Sequence, residues 1–371
     1  MEYQNYEDSE AYSNLTNQYT SDGPLDYDDS TKGSIENLII GFLRSYVNPL
    51  ISTVGIIGNL ISIWVFSAKG LRKLSSSVYV QAVLVSDTFF LVTILAVWLE
   101  SFNYMAMHVN GICQGNIYLS YVSSFLSVWY VVCITIENYI TICHPLKLKT
   151  VCTFKRARIT TLTFAFAGLV MFSVIIPITK PQKPLYSPHN SSDKLVCKTI
   201  VEYTNLMNIL TYVDTVITIL LPMIAIVGLI SMIIVETIRS VHKKQIRLAN
   251  KENQSKKLSD VPQVRVAKLL FAISISFLLL NLPSYCARLV YIFVPYAFPH
   301  DSITSFTVYQ CLLHISYSSF ALKFFILYIF SGNFRKVLFK KLFCCFPHLS
   351  TDTRATERIK LTTPAFDMVH S

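Results

Sequence analysis

Seven apolar stretches, each long enough to cross a bilayer, leave this chain few ways to fold. Ser45–Ala68, Val109–Ile136 and Ile159–Thr179 contain no Asp, Glu, Lys or Arg. Leu74–Leu99 carries Asp87 as its one charge, Tyr203–Val235 carries Asp214, Leu269–Phe298 carries Arg288, and Ser302–Phe330 carries Lys323. A bilayer core needs about 20 residues of helix, and backbone left unpaired in hydrocarbon is costly. The chain is therefore predicted to be an all-α membrane protein, a seven-transmembrane helix bundle. Runs beyond the minimum length imply tilt. Pro49, Pro177, Pro222 and Pro283 fall inside the runs, where a membrane bundle tolerates them as kinks. Charged residues are 15% of the 371, far below the share in soluble domains, which excludes a string of soluble domains.

Charge in the connecting segments orients the bundle. The first loop has Lys69, Arg72 and Lys73, and the third has Lys147, Lys149, Lys155, Arg156 and Arg158. Nine basic residues lie within 236–268 and seven after residue 331. The second and sixth loops have no Lys or Arg, and the fourth has four Lys. Basic loops stay on the cytoplasmic side, so the amino terminus is predicted outside and the carboxyl terminus in the cytosol. The sequons at Asn14 and Asn190 then fall outside as glycosylation sites, and the one at Asn253 falls inside. The formal charge of +10 is spread through these loops, which disfavours a nucleic-acid partner.

Residues 1–40 read as a disordered acidic extracellular tail, because nine acids and one Lys within 1–37 leave too little apolar surface to bury. Tyr6 and Tyr27, flanked by acids, are candidates for sulfation, with an inert solvated tail as the alternative. The tail lacks the basic start and apolar core of a cleaved signal peptide, so the first run is expected to serve as the signal. Residues 41–331 make the bundle and 332–346 an interfacial amphipathic helix. There Phe334, Val337, Leu338 and Leu342 recur at helical spacing among Arg335, Lys336, Lys340 and Lys341, a pattern suited to anionic lipid. Cys344 and Cys345 at its end suit palmitoylation, with reduced thiols as the alternative. Residues 347–371 form a cytoplasmic tail whose Thr351, Thr353, Thr356, Thr362 and Thr363 suit phosphorylation and arrestin docking. The nine Cys include no CxxC pair, so no metal site is expected.

Short motifs recur at fixed places in the runs. Asn59 stands in Gly58-Asn59-Leu60, Asp87 in Leu84-Val85-Ser86-Asp87, and Glu137-Asn138-Tyr139 follows the third run. Pro222 lies in the fifth run, Phe277 and Pro283 lie in the sixth, and Tyr328 precedes Phe334 by six residues. Cys113 stands 25 residues before Asn138. With this set, residues 40–346 resemble a class A (rhodopsin-like) G-protein-coupled receptor. The segment Cys143–Arg158 resembles the second intracellular loop of invertebrate neuropeptide receptors of the FMRFamide-receptor group. The resemblance implies a Cys113–Cys197 disulfide, which the oxidising side favours. It implies a coupling and activation set at Glu137, Asn138, Tyr139, Phe277, Asn281, Pro283 and Tyr328. It also implies a ligand cavity lined by Trp98, Glu100, Ser120, Tyr121, Ser124, Asp214, Tyr285, Arg288, Gln310 and His314.

The departures from the family pattern bear on mechanism. Asn138 replaces the arginine of Asp-Arg-Tyr, and Asn281 replaces the tryptophan two residues before the helix-six proline. Phe324-Phe325-Ile326-Leu327-Tyr328 replaces Asn-Pro-x-x-Tyr, and the fourth run has no tryptophan. Asn59, Asp87, Ser127 and Lys323 form an intramembrane polar set, and such residues default to function. The resemblance implies a sodium ion at Asp87 with Ser127 as a second ligand, but Phe320 and Phe324 replace the helix-seven asparagines. Lys323 is the alternative partner, either pairing with Asp87 in place of sodium or snorkelling inward.

Ser120 stands where amine receptors carry an aspartate, and Ser318 where opsins carry their lysine, so amine and retinal ligands are disfavoured. A polar-aromatic cavity suits a peptide, with Arg288 engaging either the ligand or Asp214. The function expected is therefore a plasma-membrane receptor for an extracellular neuropeptide or peptide hormone, signalling to heterotrimeric G proteins. Two rival readings remain open on sequence. One is a non-signalling peptide binder, which the missing arginine makes credible. The other is a transporter or channel, against which no inverted repeat is seen. No nucleophile-base set, phosphate loop or metal motif points to an enzyme or a cofactor.

Overall fold

A computed structural model describes residues 27–68, 75–100, 109–182, 196–249, 262–293 and 303–345. Helix α1 runs from Tyr27–Phe42 through a π-helical turn, Leu43–Val47, into Asn48–Phe66. Helices α2 (Ser75–Glu100) and α3 (Ile112–Cys143) follow, then a short turn and α4 (Phe154–Phe172), which continues through Ile175–Ile178. A two-stranded antiparallel hairpin, β1 (Thr179–Gln182) and β2 (Val196–Thr199), leads into α5. Helix α5 comprises Thr204–Asp214, a π-helical stretch Thr215–Leu220, and Leu221–Ala249. Helix α6 is Pro262–Phe293, and α7 consists of Ile303–Ala321 and Lys323–Phe330, bent by 49° at Leu322. Helix α8, Gly332–Cys345, closes the described chain.

Six of these helices are long and apolar enough to span a membrane, and the bent α7 pair supplies the seventh span. Helix α3 is the hub, packing on α2, α4, α5 and α6. Its apolar window is 61% buried against 17% for α4, which lies at the edge and leaves Leu162, Phe166 and Val170 for lipid. The largest cluster of buried side chains joins Val128, Val131 and Ile134 of α3 to Ile226 and Ile230 of α5 and Leu270, Ile273 and Phe277 of α6.

One boundary differs from the sequence expectation. The disordered tail expected over 1–40 gives way to helix at Tyr27, where α1 begins. Within that stretch Glu36 is buried and accepts a hydrogen bond from Thr304 Oγ1 at 2.5 Å. Tertiary packing against α7 thus carries helix into an acidic segment whose composition gives no such signal. Of the stretch 332–346 read as an interfacial helix, Gly332–Cys345 is helical as α8. It is fastened to α1, where the Lys341 ammonium hydrogen-bonds the Trp64 carbonyl and lies 4.6 Å from that ring's centre. Phe334 is fully buried against Phe66 and Phe324. Asn14, Asn190, Asn253, Tyr6, the Thr residues after 350, and the side chains of Tyr27, Glu100, Cys344 and Cys345 lie outside the described residues.

Helices α1 and α7 approach closely because α1 presents glycines. A Cβ on Gly55 would meet Leu91 Cδ1 at 2.5 Å and Ala321 Cβ at 2.8 Å, and one on Gly58 would meet Phe324 Cβ at 2.9 Å. These glycines flank the bend of α7 on both sides. Overpacking such a contact costs about 1–3 kcal/mol. Gly55→Val is therefore expected to lower the thermal midpoint and surface expression, while Gly41→Ala, where a Cβ meets nothing within 4 Å, leaves both unchanged.

Candidate functional site

Three polar constellations lie along the bundle. The middle one gathers the intramembrane set. Lys323 Nζ lies 2.5 Å from Asp87 Oδ2, and Ser127 Oγ donates to Asp87 Oδ1 at 2.6 Å. The Lys323 side chain is 5% exposed and that of Asp87 0%, so both charges are out of solvent. Lys323 Nζ also donates to the Ser319 carbonyl at 3.3 Å, and Asn59 Nδ2 donates to the Phe320 carbonyl at 3.1 Å. The last carbonyls of a helix lack backbone donors. Where α7 breaks at Leu322, two of them are met by side chains. Asn281 extends the layer to α6: its Oδ1 accepts from Ser316 Oγ at 2.5 Å, and its Nδ2 donates to the Phe277 carbonyl at 2.8 Å.

At one end of the bundle a second constellation surrounds Asp214. Arg288 Nη2 pairs with Asp214 Oδ2 at 2.9 Å, and Thr218 Oγ1 donates to Oδ1 at 2.8 Å. The π-helical stretch that opens at Thr215 immediately follows Asp214, and such turns often mark functional sites. Asp214 is buried while Arg288 keeps 28% of its side chain open. Tyr121 and Tyr285 lie within electrostatic reach of both charges, and Tyr121 packs on Phe172. The same end carries the Cys113–Cys197 disulfide, with a Cα–Cα distance of 5.7 Å. It pins β2 to the start of α3, where Gly111 takes φ of +95° and turns the chain into the helix.

The other proposed cavity residues are placed separately. His314 is buried, its Nδ1 2.6 Å from the Gln310 carbonyl, and its Nε2 has no partner among the described residues. Trp98 Nε1 donates to the Ser45 carbonyl at 3.1 Å, and Ser120 Oγ turns back to the Ile117 carbonyl at 2.8 Å. Ser124 is half-buried on α3. Thus Asp214, Arg288, Tyr121 and Tyr285 are brought together, whereas Trp98 is committed to α1 and Ser120 to its own helix.

The third constellation lies at the opposite end of α3. Ser75 Oγ donates to Glu137 Oε1 at 2.6 Å, so the carboxylate sits at the amino end of α2, where a helix dipole favours an anion. Asn138 is fully buried, and neither its amide nitrogen nor its carbonyl oxygen has a partner among the described residues. Glu137 and Asn138 are both buried where α2 and α6 pack on α3. Tyr139 stacks edge-on against His144 with ring centres 5.6 Å apart. One turn before Asn138, Thr135 Oγ1 and Ser274 Oγ share a buried hydrogen bond of 2.8 Å that ties α3 to α6. Beyond the helix, burial pushes the Cys152 thiol up to about 11, with the Glu137 carboxylate adding to the shift.

Residues 58–323 match the model of the 7 transmembrane receptor (rhodopsin family). The chain belongs to that family. Over 262 residues, 67% of its length, this receptor is 25% identical to the FMRFamide receptor of Drosophila melanogaster, covering 44% of it. It is 27% identical over 146 residues to the neuromedin U receptor homolog nmur-2 of Caenorhabditis elegans, covering 36% of each chain. A further 110 residues are 32% identical to the thyrotropin-releasing hormone receptor of Gallus gallus, covering 28% of it. The receptor spans less than half the length of these curated relatives. The family is one of signalling receptors, not of enzymes, and the chain is a multi-pass membrane protein.

Several partners escaped the sequence reading. Thr218 stands four residues after Asp214, a spacing that puts both on one helical face, so its role was legible. Ser75, Ser274 and Ser316 carried no such signal, since a lone serine in an apolar run looks the same whether it bonds its own helix or another. The Asp214–Arg288 pair should behave as a unit. Asp214→Asn and Arg288→Met are each expected to destabilise the receptor. The double variant should show a coupling of about 0.5–3 kcal/mol in thermal unfolding.

Proposed function

We propose that this receptor responds to an extracellular peptide and passes the signal to heterotrimeric G proteins at the plasma membrane. The observation that carries the reading is the Asp214–Arg288 pair. A buried carboxylate holds a guanidinium that remains part open beside two tyrosines, at the end of the bundle closed by the disulfide. A guanidinium has five donors, and one bonded to Asp214 leaves others for a peptide carbonyl or carboxylate. The names of the FMRFamide, neuromedin U and thyrotropin-releasing hormone receptors support a peptide over an amine. The basic loops at residues 69–73, 147–158 and 236–268 support an orientation with that end outside. Arrestin is the further cytoplasmic partner, through the threonines after residue 350.

Ligand binding would shift a two-state equilibrium by its difference in affinity for the two conformations. The moving element is α6, which carries Pro283 inside the helix and is held to α3 by the Thr135–Ser274 hydroxyl pair. That contact stands one turn from Asn138, where the family's arginine is absent, and takes over part of the restraint an ionic pair would provide. The Asn138 amide, without a partner among the described residues, favours a second reading, a peptide binder that does not couple.

Expression in cells and a neuropeptide screen with calcium and cyclic-AMP readouts tests both readings, with Asn138→Arg alongside. A peptide response from the native chain that Arg288→Met abolishes is expected. Silence from the native chain with a response from Asn138→Arg establishes the non-coupling binder, and silence from both at confirmed surface expression overturns the peptide reading. A hydrogen bond worth about 1 kcal/mol holds α6 in this state. Ser274→Ala is therefore expected to raise ligand-free signalling about fivefold.

A further inference from the structure

We propose that Lys323 is a built-in cation. Its ammonium takes the place of the sodium ion that class A receptors hold at the helix-two aspartate, so the core of this receptor is closed to sodium. The bend of α7 is then set by the chain itself and not by the ionic medium.

Four observations carry the inference. First, both oxygens of Asp87 are already engaged, Oδ2 by Lys323 Nζ at 2.5 Å and Oδ1 by Ser127 at 2.6 Å. A metal ion at the carboxylate would share it with a resident positive charge in a region of low dielectric, and like charges there repel strongly. Second, the donor set does not fit a hard cation. Sodium wants several oxygens, but α7 presents the Phe320 ring to the pair, its centre 5.4 Å from the ammonium. Third, the ammonium has work a metal ion at Asp87 would not do from within the chain: it also donates to the Ser319 carbonyl in the last turn before the α7 break. The neighbouring Phe320 carbonyl is met by Asn59. Fourth, the pair is sealed. Helix α1 closes on both sides of the break, with Gly55 against Ala321 and Gly58 against Phe324, and Lys323 and Asp87 are both buried. One residue therefore neutralises the buried acid, caps a broken helix and ties α2 to α7.

Thermal unfolding of the purified full-length receptor in detergent tests this without a ligand. Sodium chloride is compared with choline chloride at equal ionic strength for the native chain, Lys323→Met, Asp87→Asn and the double variant. The native midpoint is expected to be the same in both salts at every concentration. Lys323→Met, which leaves the Asp87 carboxylate buried without its counter-charge, is expected to fall well below native. The double variant should recover most of that loss, because removing both charges of a buried pair is far less costly than removing one. A native midpoint that rises with sodium and not with choline overturns the proposal, because any ion bound to the folded state must stabilise it. Losses from the two single variants that simply add also overturn it. If Lys323→Met fails to fold, a double variant that folds supports the pair, and one that fails with it overturns the pair. None of these outcomes depends on the peptide reading.

Discussion

A buried ion pair between Asp87 and Lys323 is the constraint around which the middle of this receptor is arranged. Neither charge has water to fall back on, so each depends on the other and on the dipoles beside it. Meeting that demand requires α7 to bring Lys323 to α2, and α7 does so across a break without a proline. A helix broken inside a membrane must find new partners for its freed carbonyls. Lys323 and Asn59 supply two of them, and the glycine face of α1 gives the broken helix room to lie close. Polar pairing, backbone satisfaction and close packing are thus three aspects of one solution.

The same logic divides the bundle into layers along α3. The disulfide end has a charge pair that remains part open, Asp214 with Arg288, set where a π-helical stretch reshapes α5. The middle has a sealed pair. The opposite end has an amide where the family has an arginine, with the Glu137 carboxylate turned to the amino end of α2 and Thr135 bonded to Ser274. An open pair can exchange partners with a ligand at modest cost, while a sealed pair resists exchange because either charge left alone is penalised. The two charge pairs therefore differ by burial more than by residue type. A hydroxyl contact between α3 and α6 is weaker than a charged one.

The architecture was largely legible in the sequence. Runs such as Val109–Ile136 contain no charge over a bilayer's depth, and a backbone in hydrocarbon has helix as its simplest way to satisfy itself. The four lone charges within the runs, Asp87, Asp214, Arg288 and Lys323, were visible as anomalies for the same reason. They stand as two pairs in the structure. The helical start at Tyr27 was not legible, because acidic composition argues against order and only packing on α7 overrides it. Nor were the roles of Ser75, Ser274 and Ser316, since a hydroxyl's partner is chosen by which helix lies opposite.

What the sequence determined by itself is the class of fold, through hydropathy, and the list of groups that cannot be left unpaired in a membrane. What the tertiary structure decided is who pairs with whom. Lys323 could have reached toward the interface on its long stem, and Asn138 could have faced an opening. The close approach of α1 to a bent α7 directs the lysine to Asp87, and the packing of α2 and α6 over α3 buries the asparagine. Burial penalties are properties of residues and can be read in one dimension. Partners are properties of distance, and distance exists only once the helices have packed.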